Sequence, residues 1–237
     1  MERATEFIQL YNQLSSRLSE LAGGDRGIPF TTLADRVARG NSAVRAFLSE
    51  LKDFAALRNA IVHNNGFPVR VIAEPSEGAL TEFRDIVNRI LSPPKLIPRF
   101  QKVIRCFDEG DRISTALEYM AQHDYSQIVV RDGSHLIRVL TAEGIARWLA
   151  QNAHAELVDI HNTTVKHVVP LEPPQAFELM SRERTIYDAS QVFSSALERR
   201  KERIFAIVIT HSGKQREEPL GIVTPWDVIR DLELQRS

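Results

Sequence analysis

The stretch Gly221-Ile222-Val223-Thr224-Pro225-Trp226-Asp227 puts a hydroxyl and a carboxylate about one helical turn apart, where a helix is expected to begin. A helix N-terminus offers unpaired N–H groups and the positive end of the peptide dipole, so Thr224 marks a place that favours an anion. Asp227 can accept hydrogen bonds from a pair of adjacent hydroxyls. The same residues also make a good helix start with no further role: Thr as cap, Pro at the first helical position, an acid at the third. Spacing alone leaves both uses open. A second pair, Arg58 and His63, combines a guanidinium fork suited to oxyanions with an imidazole that titrates near neutrality. On one continuous helix these two are offset by well over a turn, so they meet only if the helix end loosens or a second copy of the chain contributes.

Thr224 belongs to a repeat. SQIVVRDGSHLIRVLTAEGIARWL (residues 126–149) and IFAIVITHSGKQREEPLGIVTPWDVIRDL (residues 204–232) each read as a β-branched run, a turn, a second apolar run, a threonine and a helix. Thr141 and Thr224 are the marker threonines. Two such copies imply a pseudo-symmetric pair with a cleft between them. The first copy is expected to have strands at 102–107, 127–130 and 136–140 and helices at 113–122 and 142–151. The second is expected to have strands at 184–187, 205–209 and 220–223, a helix at 191–199 and another from Pro225.

Ahead of the repeats the period is helical. Phe7, Leu10, Tyr11, Leu14, Leu18 and Leu21 define a first helix, stopped by Gly23 and Gly24. A second begins near Thr31. A third runs from Ser42 with Val44, Phe47, Leu48, Leu51, Phe54, Leu57 and Ile61 on one face, and Asn64-Asn65-Gly66 is expected to end it. Phe67–Ala73 reads as extended, and a last helix carries Leu80, Phe83, Ile86, Val87, Ile90 and Leu91. Ser92-Pro93-Pro94 cannot continue a helix and reads as a linker. The expected fold class is α+β: an all-α domain over 1–95, then two β-α-β-β-α units over about 96–165 and 166–237.

Composition narrows the function classes. The 237 residues are 43% hydrophobic and 26% charged with a net charge of −1, ordinary for a globular protein and without a global basic field to collect nucleic acid. One cysteine, Cys106, allows no intrachain disulfide and suggests a reducing compartment. The N-terminus lacks the apolar core of a signal peptide, and no apolar run approaches a membrane span of roughly 20 residues. A cytoplasmic protein with no membrane contact is expected. His161 and His167 have poor metal spacing, so no metal is expected. The cluster Arg199-Arg200-Lys201-Glu202-Arg203 reads as a solvated helix end that can also screen anions.

The Gly-apolar-apolar-Thr-x-x-Asp pattern at Gly221, Thr224 and Asp227, with the repeat, resembles the CBS domain, which occurs as tandem pairs called Bateman modules. The resemblance covers about 96–237. It implies a regulatory site for an adenine nucleotide (AMP, ADP or ATP) or a related adenosyl ligand, assembled from both repeats. Thr224 and Asp227 would hold phosphate and ribose and would face Ile104, Tyr125, Ser126 and Gln127, with Arg203 as a phosphate candidate. The first repeat has Gly144 where the family puts its aspartate, so that half-site lacks its ribose ligand, and one nucleotide per pair is expected. In the first 92 residues, the Arg-polar-x-x-x-His pattern of Arg58-Asn59-Ala60-Ile61-Val62-His63 resembles HEPN domains. That likeness implies a homodimer and, in nuclease members, metal-independent RNA cleavage with His63 moving the proton of a 2′-hydroxyl and Arg58 stabilising the phosphorane. Asn65 stands where some HEPN toxins carry a tyrosine. The expected function is a nucleotide-sensing regulator with a helical dimerisation or effector domain. The alternatives are a nucleotide-regulated ribonuclease and a ligand-free dimerisation adaptor.

Overall fold

A computed structural model of the chain describes residues 2–24, 27–63, 70–132, 137–154, 157–173, 175–200 and 203–234; for His63, Arg70, Arg199 and Arg200 it describes the backbone alone. The chain forms two compact units, Met1–Pro94 and Lys95–Ser237.

The first unit has α1 (Glu2–Leu21), α2 (Phe30–Ala38), α3 (Ser42–Ala46), α4 (Leu48–Ile61), a two-stranded antiparallel ladder of β1 (Val62–His63) and β2 (Arg70–Val71), and α5 (Glu77–Leu91). Its centre is aromatic. The Phe7 and Phe54 rings each lie 4.7 Å from that of Phe83, with Leu14, Leu18, Leu51 and Val87 fully buried around them. Three expectations are corrected. The helix read from Ser42 as continuous breaks at Phe47, whose backbone leaves the helical region (φ −117°, ψ 16°). Its second part ends at Ile61, before the Asn64–Gly66 stop, which lies outside the described residues. The unit is also not purely helical, because the extended segment after α4 pairs Val62 with Val71.

The second unit opens with a short turn, α6 (Leu96–Arg99), and contains two copies of one topology. The first is β3 (Cys106–Asp108), α7 (Ile113–His123), β4 (Gln127–Arg131), β5 (Ile137–Thr141) and α8 (Ala142–Gln151). The second is β6 (Phe177–Ser181), α9 (Ile186–Ser195), β7 (Ala206–Thr210), β8 (Gly221–Val223) and α10 (Pro225–Leu234). In each sheet the first two strands are parallel and the last two antiparallel. A helix joins each parallel pair, as such a crossover requires. Val129, Ile137 and Val139 from one sheet and Val208 from the other form a shared core, flanked by Cys106, Phe177, Leu179 and Ile222. Behind the first sheet, Phe107, Ile113, Met120, Val130, Leu140, Ile145 and Trp148 close a second apolar cluster with α7 and α8.

The expected strand at 184–187 is wrong. Thr185 caps α9: its hydroxyl accepts the Asp188 N–H, and Asp188 Oδ2 accepts the Thr185 N–H at 2.9 Å. The β-branched look of Thr-Ile-Tyr disguises a capping box. The strand lies at Phe177–Ser181 instead, and the helix expected at 191–199 begins at Ile186 and passes after Ser195 into a π turn at Ala196–Arg200. The strand expected at 102–107 is laddered only from Cys106, although the Lys102 N–H donates to Leu220 O at 3.1 Å. Leu136, the expected start of β5, lies outside the described residues. Among those described, no helix is long and apolar enough to cross a membrane.

Candidate functional site

β8 ends at Val223 and α10 begins at Pro225, so Thr224 sits on the hinge between strand and helix. Its hydroxyl accepts the Asp227 N–H at 3.3 Å. Asp227 Oδ2 accepts both the Thr224 N–H, at 2.8 Å, and the Thr224 hydroxyl, at 2.7 Å. This is a complete capping box, and it engages one carboxylate oxygen. Among the described residues no donor reaches the other, Oδ1. The two uses that the sequence leaves open are therefore compatible, since the cap engages Oδ2 and leaves Oδ1 outside it.

Asp227 and Thr224 line a cleft of about 290 Å³ together with Ile104, Tyr125, Ser126 and Gln127. The last four come from the first repeat, two of them from the turn that Asp124 makes after α7 with φ of 53°. Gly221 lets the chain approach closely: a methyl group there would collide with the carbonyl oxygen of Phe100. Across Ser126, Gln127 and Thr224 the cleft continues into an apolar lobe of about 460 Å³ lined by Phe193, Leu197, Phe205, Trp226 and Ile229. Arg203 stands on this second lobe, not beside Asp227. It is 77% exposed, with Nη1 3.8 Å from Glu143 Oε2.

Four site residues escape the sequence reading. Lys102 and Arg105 line the Asp227 lobe, and neither meets a carboxylate among the described residues. Lys102 Nζ lies 5.5 Å from the Tyr125 ring centroid; the Arg105 guanidinium lies 4.6 Å from that of Phe107 and 4.9 Å from that of Tyr119. Tyr119 in turn sits 5.9 Å from Tyr125. The rim of this lobe is thus cationic and aromatic. Trp226, 77% exposed, is the fourth. The basic residues flanking Ile104 in Lys102-Val103-Ile104-Arg105 were the available signal.

The first motif is built differently. Thr141 caps α8, and Gly144 donates its N–H to Thr141 Oγ1 at 3.0 Å. The carboxylate comes from Glu172, which follows the short 3₁₀ turn Val169–Leu171: Oε1 accepts the Thr141 N–H at 2.6 Å and Oε2 the Thr141 hydroxyl at 3.0 Å. Burial pushes the Glu172 carboxyl above its ordinary range, against the two Thr141 bonds and Arg147, which pull it down, while Glu143 adds to the rise.

In the first unit, Arg58 lies on α4 with its guanidinium 5.8 Å from the Tyr11 ring centroid, and Nη1 3.4 Å from Asn59 Oδ1. Its Nε is buried and has no hydrogen-bond partner among the described residues. Burial raises the Tyr11 hydroxyl above its ordinary range, with Arg58 pulling the other way. The His63 backbone lies in β1, beyond the end of α4; its side chain, and Asn65, lie outside the described residues. Among the described residues, His161 and His167 bond locally, to Asp159 and Thr164, and no group of three His, Cys, Asp or Glu capable of holding a metal occurs.

With this geometry in view, the comparisons fit the first repeat: the CBS domain family model matches residues 100–151. No curated protein sequence matches the chain. Solved structures similar to it include the CBS domain of a CBS-domain-containing membrane protein from Sphaerobacter thermophilus, at 15% identity and a TM-score of 0.46 over 65% of this chain and 96% of that one. Another is the CBS-domain-containing protein ATU1752 from Agrobacterium tumefaciens, at 13% identity and 0.41 over 58% and 86%. A third is the CBS domain of a bacterial CNNM/CorC family Mg2+ transporter in complex with ATP, at 19% identity and 0.42 over 63% and 93%.

Proposed function

We propose that residues 96–237 are a CBS pair that senses one adenine nucleotide or related adenosyl ligand, and that it regulates the helical unit in front of it. The observation that carries this reading is the cleft in which Thr224 and Asp227 of one repeat meet Ile104, Tyr125, Ser126 and Gln127 of the other. Asp227 Oδ1 accepts a ribose hydroxyl, Lys102 and Arg105 meet phosphate oxygens, and the apolar and aromatic walls take the base. Arg203, exposed at the far lobe, screens a longer phosphate chain. No metal is needed for binding.

The protein acts as a cytoplasmic homodimer, with the HEPN-like helical unit as dimerisation or effector domain. The end of α4 at Ile61 favours one further reading, a nucleotide-regulated, metal-independent ribonuclease. His63 leaves the helix that holds Arg58, so the pair is freed from fixed helical spacing. His63 would then move the proton of an RNA 2′-hydroxyl, and Arg58 would hold the phosphorane.

A melting screen of the full chain against AMP, ADP, ATP, GTP and S-adenosylmethionine tests the main reading. Adenosyl ligands should raise Tm by mass action, by an amount that grows with ligand concentration. No shift with any of them would leave the ligand-free adaptor. Cleavage of a structured RNA in EDTA by the wild type, lost in His63→Ala, would establish the ribonuclease; equal activity in both would exclude it.

A further inference from the structure

Thr141 and Thr224 hold equivalent places, Thr141 as the last residue of β5 and Thr224 just after β8, each directly before a helix and each bonded to a carboxylate. At Thr224 the carboxylate is local, and one oxygen serves both the N–H and the hydroxyl. At Thr141 the local position is Gly144. Glu172 reaches in from the segment between the repeats and engages both oxygens, one on the N–H and one on the hydroxyl. The two solutions exclude each other in space, because a methyl group on Gly144 would fall inside the Glu172 carboxylate. Thr141 is buried as a result, whereas Thr224 stays partly exposed on its cleft.

We propose that Glu172 is an internal stand-in for the missing motif carboxylate and that it closes the first half-site, limiting the pair to a single nucleotide. The glycine at 144 is then a requirement of the plug, since any side chain there would expel Glu172. Closure works by occupation: the Glu172 carboxylate fills the space beside Gly144 and turns both oxygens onto Thr141, whereas Asp227 keeps Oδ1 clear of Thr224. The stoichiometric consequence rests on the nucleotide reading of the second motif; the exchange of carboxylates does not.

The test is a cycle of Glu172→Ala, Gly144→Asp and the double variant in the full chain, each melted and titrated calorimetrically with ATP. Glu172→Ala strips the Thr141 cap and should lower Tm by roughly 2–4 °C. Gly144→Asp alone should also lower it, because two carboxylates compete for one threonine. Combined, they rebuild at Thr141 the arrangement found at Thr224, so the double variant should melt above either single one. Losses that merely add would overturn the exchange. If Glu172→Ala fails to fold, Glu172→Ser, whose short side chain leaves the space beside Gly144 clear, supplies the second background, and Gly144→Asp must raise its Tm. In the titration, ATP stoichiometry should rise from one per chain to two in the double variant. One site in both proteins, with the melting rescue intact, would overturn the closure claim. Binding of none of ATP, ADP, AMP or S-adenosylmethionine by the wild type would instead refute the nucleotide reading and leave the melting cycle to decide the role of Glu172.

Discussion

Asp227 and Glu172 show how one carboxylate is divided between structure and ligand. Asp227 keeps Oδ1 outside its capping box, so its removal should have two separable effects. Asp227→Ala should destabilise the chain by about 0.5–2 kcal/mol as a lost cap, seen in denaturant midpoints, and should remove nucleotide binding. Glu172 makes a pH prediction. Its carboxyl is raised by burial, so the folded chain holds that proton more tightly than the unfolded one. Stability from this group is full below the ordinary carboxyl range and is lost as pH rises through the raised value. Arg147 and Glu143 face it and modulate the shift in opposite senses. Glu217 runs the other way: held near about 2 by the Ser212 hydroxyl and N–H, it loses its contribution as pH falls. The informative measurement is therefore the wild-type melting curve minus that of Glu172→Gln, from about pH 4 to 7. The difference should shrink with rising pH; a flat difference would contradict burial as the dominant influence.

Among the elements, β8 carries the tightest backbone constraint of the site. Gly221→Ala would press a methyl group against Phe100 O, so β8 or the segment after α6 must shift, at a cost of about 1–3 kcal/mol. Thermal unfolding should report this, together with weaker nucleotide binding, because Thr224 follows three residues later. The sequence makes β4, β5, β7, β8, α7, α8 and α10 legible because β-branched runs, a marker threonine and helical spacing agree in each. It hides β6, since Phe-Glu-Leu-Met-Ser has no β-branched residue, and it mimics a strand at Thr185-Ile186-Tyr187. Both errors arise where local propensity and tertiary context disagree. At the site, the resemblance led to Ile104, Tyr125, Ser126 and Gln127, and the structure gathers them around Thr224 and Asp227. Lys102, Arg105 and Tyr119 were missed because pairing between cations and rings is not written in spacing. Glu172 could not be read at all, since its partner Thr141 is distant in sequence and belongs to another element.

At the scale of the whole molecule, the second unit leaves Leu197 exposed on the π turn after α9, and Trp226, Ile229 and Leu234 exposed on α10. Such a face suits the proposed homodimer. Light scattering at micromolar concentration should give twice the chain mass, and Leu197→Asp should weaken association by roughly tenfold or more. A monomer at all concentrations would remove the dimer from the account. Both contributing repeats lie in one chain, but Leu197, Trp226 and Ile229 also line the apolar lobe of the cleft, so association at this face and nucleotide binding should influence one another. The most direct measurement is a calorimetric titration of ATP into the wild type and Asp227→Ala, with both confirmed folded by circular dichroism. Saturable binding of one ATP per chain in the wild type, lost or weakened at least roughly tenfold in Asp227→Ala, is the predicted result, a factor of ten corresponding to about 1.4 kcal/mol. Binding of equal affinity in the two proteins, or none in the wild type, would contradict it.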